Sequence, residues 1–295
     1  MQKIAHYHLP GLFEFYDFYA AFLPVYRENR NWFYDWCDIA SLYGAPADCL
    51  WGGGRVGSGD RRPEEVFALA AEYGISPRLT FSNSLLGREH LGDAKCNALC
   101  ALCEQYGGGV ILASDLLLEY LQKNDPKLYF VSSTTKVLTR FSDLKAELER
   151  PEFSYVVPDF RLNPDFSDLE TLSQELKKKV EFLCNECCFF GCRDRKQCYE
   201  AVSRKNLGEP GEHRCKAPGA AGGYRFSKAM ENPGFIGVEA VRDTYLPLGF
   251  SNFKIEGRGL GSALLLEFLL HYMTKPEYHL ALREELYLEN TLDLF

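Results

Sequence analysis

The sequence lacks the features of a secreted, membrane-spanning or generic nucleic-acid-binding protein. No basic region followed by an apolar run stands at the N-terminus, so we expect no signal peptide. The apolar stretch 263–272 has about half the length of a membrane span, and it contains Glu267. A formal net charge of −8 argues against generic attraction to nucleic acid. We therefore expect a cytoplasmic protein with no membrane partner.

Several catalytic and cofactor motifs are also missing. The chain has no GxSxG elbow, no HExxH helix and no Ser/His/Asp order, so hydrolases of these types are not indicated. No GxGxxG fingerprint follows the first predicted strand, which argues against a dinucleotide-binding sheet. The composition, with 46% hydrophobic and 25% charged residues, is that of a globular chain.

Short apolar runs alternate with longer helical segments along the whole chain. The runs are apolar rather than alternating, as expected for a parallel sheet that is covered on both faces. The predicted strands are 4–9, 36–42, 77–81, 109–113, 128–132, 154–157, 180–184 and 253–256. Their number and spacing predict an α/β fold, a (β/α)₈ TIM-like barrel, and an open doubly wound sheet is the alternative.

One region breaks this rhythm. Residues 205–233 contain the sequence GEPGEHRCKAPGAAGG and show little periodicity. A loop of that length in a compact domain is usually functional or mobile, so we expect it to fold back over the strand ends, carrying Cys215. The predicted organisation is a barrel over residues 1–275 and a C-terminal helical tail over residues 276–295.

Cysteine, in contrast, is abundant, and six of the eleven cysteines lie between residues 184 and 215. Four of these stand within twelve positions, namely Cys187, Cys188, Cys192 and Cys198. Thiolates are soft ligands that select iron–sulfur clusters, zinc or copper(I). The spacing has neither the paired CxxC knuckles of structural zinc sites nor the two-residue gaps of ferredoxins. The pattern therefore indicates a metal site without specifying the metal, and a set of buried inert thiols is the alternative.

The second chemical signal is the segment FKIEGR at residues 253–258. Alternation along a strand should point Lys254 and Glu256 to the same face, which inside a barrel gives a charged layer near its top. Charges that are buried there need partners or take part in chemistry. A structural ion pair is the alternative to a catalytic role.

Polar side chains also follow several other predicted strands. Catalytic groups of barrel enzymes gather at the C-terminal ends of the strands. Arg55 and Lys136 suit an anionic substrate, and hydroxyl groups and glycine amides can complete such a pocket. Each residue taken singly is more often a turn or capping residue, but their recurrence at the same place in several units favours a site. The members of this set are Arg55, Asn83, Thr134, Thr135, Lys136 and Asp159.

The segment FKIEGR, after Leu248-Gly249-Phe250 and downstream of a cysteine cluster, resembles the peptidase U32 family. This resemblance implies a barrel in which four cysteines hold a [4Fe–4S] cluster. The segment NECCFFGCRDRKQCY is similar to that of a divergent bacterial U32-like branch with the pattern N-P-x-C-x-x-x-C-P-x-R-x-x-H-Y. The match implies cluster ligands at Cys188 and Cys192, with Cys215 as the third.

Two departures from that pattern bear on the ligands. Cys198 stands where the branch has histidine, and Arg193 stands where it has proline. These departures leave the fourth ligand open, with Cys184 and Cys198 as candidates. Zinc remains the alternative to the cluster.

The resemblance also implies a function. Family members of this kind are implicated in oxygen-independent hydroxylation of RNA bases or quinone precursors, so we expect an iron–sulfur enzyme that works anaerobically on a small anionic substrate or on modified RNA. The residues expected to orient the substrate or move protons are Lys254, Glu256, Arg258, Lys136 and Asp159. Two alternatives stay open: a peptidase, as the family label says, and a non-catalytic zinc-stabilised barrel that serves as a binding module.

Overall fold

The fold is built on eight parallel strands in a computed structural model that describes residues 3–54 and 62–288. The strands are β1 Ala5–Pro10, β2 Cys37–Gly44, β3 Ser76–Phe81, β4 Gly109–Leu112, β5 Tyr129–Ser132, β6 Phe153–Val156, β7 Glu181–Leu183 and β8 Asn252–Lys254. Their order in the sheet is β6-β5-β4-β3-β2-β1-β8-β7. A single parallel bridge between Val156 and Val180 joins the two outer strands, so the barrel is nearly closed. The predicted (β/α)₈ TIM-like barrel is confirmed, with each predicted strand in place.

Helices surround the barrel and fill most of the connections. The α-helices are α1 Tyr16–Glu28, α2 Pro63–Glu72, α3 Ala94–Gln105, α4 Asp115–Asn124, α5 Phe141–Leu148, α6 Phe166–Leu169, α7 Gln174–Lys177, α8 Arg195–Asn206, α9 Phe226–Met230, α10 Val238–Ala240, α11 Leu246–Leu248, α12 Ser262–Tyr272 and α13 His279–Leu288. A π-helical turn, Val241–Tyr245, connects α10 to α11. Short 3₁₀ turns lie at Arg30–Trp32, Arg88–His90, Thr134–Lys136, Phe160–Leu162, Ala220–Gly222 and Pro276–Tyr278.

Both faces of the strands are buried, and this explains their continuously apolar sequences. In β4, Val110 and Leu112 pack in the main core between strands and helices, whereas Ile111 between them points to the inside of the barrel. The inner apolar layer is separate from the main core and consists of Tyr43, Ile111, Val131, Val157 and Leu183. Successive side chains of a strand point to opposite faces, so an apolar residue is needed at each position.

The helices begin where the sequence supplies a cap. Ser114 accepts a hydrogen bond from the backbone N–H of Leu117 at the start of α4, and Asp93 accepts one from Cys96 at the start of α3. Such caps satisfy N–H groups that have no partner within the helix. Pro63 opens α2, where its missing N–H breaks no internal hydrogen bond.

The C-terminal segment packs against the barrel rather than extending from it. Helix α13 contacts α1, and its side chains Leu282 and Leu286 are fully buried in the main core. Among the described residues, no helix combines the length and apolar character that crossing a membrane requires.

Candidate functional site

A cavity of about 590 Å³ opens at the C-terminal ends of the strands. This is the end of a barrel at which active sites lie, and the volume is typical of small-molecule sites. Four residues of the inner apolar layer form its floor, namely Tyr43, Ile111, Val157 and Leu183. Residues beyond the strand ends form its walls, among them Ser82 after β3 and Thr134 and Thr135 after β5.

The loop 205–233 lies over this cavity. Its residues Cys215, Ala217, Pro218 and Gly219 border the cavity, and so do Tyr224 and Lys228 further along the loop. The hydroxyl of Tyr224 donates a hydrogen bond to the backbone carbonyl of Asn185, at a distance of 3.0 Å, and thereby ties the loop to the segment after β7. The sequence prediction that this loop covers the cysteine-rich end agrees with this arrangement.

Five cysteines border the same cavity: Cys187, Cys188, Cys192, Cys198 and Cys215. Cys215 is exposed and the other four are partly buried. In the described ranges, no three His, Cys, Asp or Glu side chains are arranged to hold a single metal ion. A tetrahedral zinc site requires thiolates that converge on one point at about 2.3 Å. An iron–sulfur cluster is several atoms wide, so its thiolates lie further apart than those of a single ion, and cysteines that border one cavity are donors of the type it requires.

Buried polar side chains fix the cysteine segment in position. Glu186 accepts a hydrogen bond from the backbone N–H of Cys188, at 3.0 Å, and its carboxylate lies 2.6 Å from Arg195 on α8. The side chain of Asn232 donates a hydrogen bond to the backbone carbonyl of Cys188, at 2.8 Å. Because Glu186 and Arg195 are both almost fully buried, this ion pair holds the segment against α8 without exposure to solvent.

Asp159 belongs to this supporting network and does not border the cavity. Its carboxylate is fully buried and lies 2.5 Å from Arg161 and 3.3 Å from Arg195. Arg161 in turn donates a hydrogen bond to the backbone carbonyl of Cys192, at 2.6 Å. The structure thus places Asp159 as an anchor of the cysteine segment, whereas the sequence had predicted a catalytic role.

An anchoring role predicts that Asp159→Asn lowers stability. The change removes the charge that faces two guanidinium groups, so we expect the free energy of unfolding to fall by about 1.5–3 kcal/mol. Urea unfolding, compared with the exposed control Asp143→Asn, checks this expectation. Asp143 pairs with Arg140 at the surface, where such a change stays within about 0.5 kcal/mol. An Asp159→Asn variant as stable as the control would contradict the anchoring role.

Charged residues at the end of β8 and just after it also border the cavity. Lys254, Glu256 and Arg258 all border the cavity, as their alternation predicts. Arg258 is fixed from behind, because Nε donates to Glu14 Oε1 at 2.8 Å and Nη2 donates to the backbone carbonyl of Ala45 at 2.9 Å. Burial raises the pKa of Glu14 despite the neighbouring charge of Arg258.

Asn185 connects the cysteine segment to the charged segment that ends β8. Its side chain donates a hydrogen bond to the backbone carbonyl of Glu256, at 3.1 Å, and accepts one from the backbone N–H of the same residue, at 2.7 Å. This double hydrogen bond locks the end of β7 to the end of β8. The Glu256 carboxylate also helps raise the pKa of Tyr224, after the larger effect of burial. Asn185 therefore sets the distance between the cysteine segment and the charged segment.

Lys254 forms the top of a charged cluster inside the barrel. Its Nζ lies 3.0 Å from Glu181 Oε1, and Arg78 Nη1 lies 2.5 Å from Glu181 Oε2. His8 completes the cluster, with Nε2 3.6 Å from the same carboxylate and Nδ1 2.8 Å from the Ser41 hydroxyl. Burial opposes ionisation of Glu181, but His8, Lys254 and Arg78 outweigh burial and hold the pKa of this carboxyl well below its usual range.

Two other predicted site residues are turned away from the cavity. Lys136 turns outward to Glu147 on α5, at a distance of 2.5 Å, and its ammonium stacks on the ring of Phe153. Asn83 is buried and donates hydrogen bonds to the backbone carbonyls of Leu50 and Ser203. Neither Lys136 nor Asn83 borders the cavity and both side chains are committed to structural partners, so the geometry gives no support to the predicted roles, which stay predictions.

Cys184 is likewise not at the cavity. It is fully buried in the main core, and its thiol lies 3.5 Å from the backbone carbonyl of Phe182. Burial raises the pKa of the Cys184 thiol well above its usual value, which disfavours the thiolate that a metal needs. This leaves Cys198 as the better placed of the two candidates for a fourth ligand. The prediction for Arg55 lies outside the described residues.

The sequence reasoning missed the residues that hold the site together. Arg78 and Glu181 stand inside short strands that otherwise read as apolar, and a charge at such a position is itself a signal of an interior partner. Asn185 and Arg195 match the N and R of the pattern quoted above, but the resemblance gave them no role, and Glu186 stands outside that pattern. Their roles depend on loops whose paths are set by the tertiary fold.

Comparison with known proteins supports the architecture. No protein-family model matches the sequence, and no curated protein matches it either. One solved structure, described as the U32 peptidase Mk0906, superposes with a TM-score of 0.56 over 88% of this chain and 94% of its own, at 14% identity. This chain has a U32-like fold. The predicted resemblance to the U32 family is thereby confirmed for the fold, and identity this low carries no further conclusion about activity.

Proposed function

We propose that this chain is a U32-like enzyme whose cavity holds an iron–sulfur cluster, in keeping with the [4Fe–4S] cofactor that the resemblance implies. The observation that supports the proposal is that five cysteines border the same cavity as Lys254, Glu256 and Arg258. Thiols selected only for burial would lie in the core, as Cys184 does. Thiols that border a polar cavity are available as ligands.

Cys188, Cys192 and Cys215 would hold the cluster, with Cys198 as the candidate for a fourth ligand. Cys188 and Cys192 are held in place through their backbone carbonyls by Asn232 and Arg161. When bound, a cluster with three cysteine ligands supplies an iron that can polarise an oxygen-bearing group. Because Cys215 lies on the covering loop, binding of the cluster would also fix that loop over the cavity.

Arg258 is suited to bind the anionic group of a substrate. Its Nε and Nη2 are used by Glu14 and Ala45, while Nη1 lies toward Gly54 at the cavity wall. A guanidinium that is already oriented loses little freedom when it binds a carboxylate or phosphate. Thr134 and Thr135 border the same cavity, and their hydroxyl oxygens, which already donate within the protein, can accept further hydrogen bonds.

The substrate class that this cavity fits is a small anionic molecule or a single extruded nucleotide. A volume of about 590 Å³ does not admit a folded RNA, and the net charge of −8 does not favour generic RNA binding. We propose an oxygen-independent hydroxylation or a related modification as the reaction. Lys254 and Glu256 are the groups placed to transfer protons to and from the substrate.

Anaerobic purification followed by iron, sulfide and zinc analysis tests the proposal. We expect iron and acid-labile sulfide in equal amounts, together with a brown colour. Tight zinc without colour would instead support the zinc-stabilised binding barrel. Release of peptides from a protein substrate by metal-free protein would support the peptidase alternative, which the similarity to a structure described as a peptidase suggests.

A further inference from the structure

Lys254 is the surplus cation of the buried cluster. The Glu181 carboxylate faces Arg78 at 2.5 Å and Lys254 at 3.0 Å. Arg78 is always a cation, whereas Lys254 is a cation only when it is protonated. Burial and the charge of Arg78 lower the pKa of His8 well below its usual value, so His8 is neutral at pH 7. Arg78 alone neutralises Glu181, because a guanidinium does not lose its proton in a protein. Within the group formed by Glu181, Arg78 and Lys254, a proton on Lys254 therefore gives one net positive charge.

The amine of Lys254 responds to this imbalance. Burial, assisted by Arg78, lowers the pKa of Lys254 to about 8, although Glu181 acts in the opposite direction. At neutral pH the neutral amine is thus about two orders of magnitude more abundant than in an exposed lysine, since each pKa unit is a factor of ten. A neutral amine is a nucleophile, and its ammonium form is not.

The same amine stands at the floor of the cavity. Lys254 and Tyr43 both border the cavity, and Nζ lies 3.5 Å from the centroid of the Tyr43 ring. The hydroxyl of Tyr43 is committed to the backbone carbonyl of Ile255, at 2.6 Å, which fixes the ring. Glu181 and the ring restrict the amine from the barrel side. Arg258, on the same wall, supplies a cation with one guanidinium nitrogen directed toward Gly54.

We propose that Lys254 is a carbonyl-binding nucleophile that forms a Schiff base with an aldehyde or ketone carrying an anionic group, which Arg258 holds. The proposal rests on the use of this cavity as the active site, as proposed above, but not on the cluster. It assigns a substrate class that the cysteines do not suggest, namely a small oxo acid or an oxo phosphate.

The step balances without an external oxidant or reductant. The Nζ lone pair of Lys254 forms a C–N bond to the carbonyl carbon, and the carbonyl π pair moves to oxygen, which takes up the proton that nitrogen releases. The carbinolamine hydroxyl then takes up a second proton, supplied from solvent through the Glu256 carboxyl group, and leaves as water when the C–O bond breaks, while the nitrogen lone pair forms the iminium. Glu256, which borders the cavity beside Lys254, is placed to carry the proton between nitrogen and oxygen.

Reductive trapping tests the proposal on the full chain. The protein is treated at pH 7 with limiting glyoxylate and cyanoborohydride, which reduces an iminium to a stable carboxymethyl amine, and the initial rate at each lysine is read by peptide mapping. We expect Lys254 to react at least about tenfold faster than a typical exposed lysine. Equal rates across the lysines, a fast phase at Lys228 on the cavity rim, or no adduct at Lys254 would each overturn the proposal.

The pH profile gives a second readout. The rate at Lys254 should level off above about pH 8, near its pKa, whereas the rate at exposed lysines should keep rising. The charged and titratable groups that face this amine are His8 on β1, Tyr43 on β2, Arg78 on β3, Glu181 on β7, and Glu256 and Arg258 after β8. The pKa values of His8 and Glu181 are lowered and those of Tyr43 and Arg78 are raised, so these four groups do not titrate near pH 8. Loss of the inflection in the Lys254→Met variant then assigns it to Lys254.

Three variants test the nucleophile, a control lysine and the anion-binding residue one at a time. Lys254→Met should abolish the fast phase, and Lys228→Gln should leave it unchanged. Arg258→Lys should slow the reaction of Lys254 with glyoxylate relative to formaldehyde, which has no anionic group, by at least about fivefold. An unchanged ratio of the glyoxylate rate to the formaldehyde rate would show that Arg258 does not bind the anionic group. A protein in which Lys254 reacts fast but which binds no iron would support this inference and contradict the cluster proposal. A protein that binds iron but in which Lys254 reacts no faster than exposed lysines would do the opposite.

Discussion

Replacing Cys192 with serine is expected, under the iron–sulfur proposal, to remove the metal from the protein while leaving the barrel folded. A barrel of this size has a core that does not depend on a metal, and Cys192 is a partly buried residue of the cavity rather than of that core. A small zinc domain would behave differently, because there the binding free energy is also the folding free energy. Metal content and circular dichroism of Cys192→Ser, and of Cys188→Ser, measure the two effects separately.

Cys184→Ala is the matched control for this prediction. Cys184 lies in the same segment of the chain, but it is fully buried in the main core and away from the cavity. We expect it to keep the metal and to lose about 1 kcal/mol of stability through the small space left in the core. Full metal retention in both serine variants would remove Cys188 and Cys192 from the site. Global unfolding upon metal loss would favour a structural zinc.

The architecture was predictable because it follows from local patterns. Each strand of a parallel barrel is buried on both faces, so a short apolar run marks it without help from distant residues. The spacing of these runs then fixes a β/α repeat, and the observed strands fall at the predicted positions. The nearly closed sheet needs no further sequence signal, because eight β/α units are the number that closes a parallel barrel.

The site was predictable only where the strand itself aims the side chain. Lys254 and Glu256 reach the cavity because alternation along β8 directs them inward. Lys136 follows β5 at an equivalent place, but a 3₁₀ turn and left-handed backbone at Val137 carry it outward to Glu147. The orientation of a residue beyond a strand end depends on such loop geometry, which a single sequence does not specify.

Replacing Glu181 with glutamine is expected to be the most destabilising single change in the barrel interior. The substitution removes the carboxylate that pairs with both Arg78 and Lys254. Leaving buried charge without its partner costs about 3–5 kcal/mol. Urea unfolding at pH 7 measures the loss. A fall of less than about 1 kcal/mol would show that the cluster is hydrated or charged differently from this arrangement.

The dependence of stability on pH should report the same cluster. The pKa of Glu181 is held below its ordinary value of 4.5, so this carboxylate contributes stability above about pH 4.5, and the contribution is lost as the pH falls toward the lower folded-state pKa. The pKa of Lys254 is lowered from 10.5 to about 8. Between these two values the unfolded chain binds more protons at this lysine, so the Lys254 contribution to stability rises with pH.

Lys254→Met and the double variant with Glu181→Gln decide whether Lys254 is the surplus charge. Methionine keeps the volume of the stem and leaves the Arg78–Glu181 pair neutral, so we expect the single variant to stay within about 1 kcal/mol of the parent at pH 7. It should also lose the Lys254-dependent gain in stability between pH 8 and pH 10.5. In the Glu181→Gln background, removing Lys254 leaves one buried cation instead of two, and about 1–3 kcal/mol should be recovered. If the two changes are simply additive, Lys254 and Glu181 are not coupled, and the charge argument for a neutral amine at the cavity floor fails.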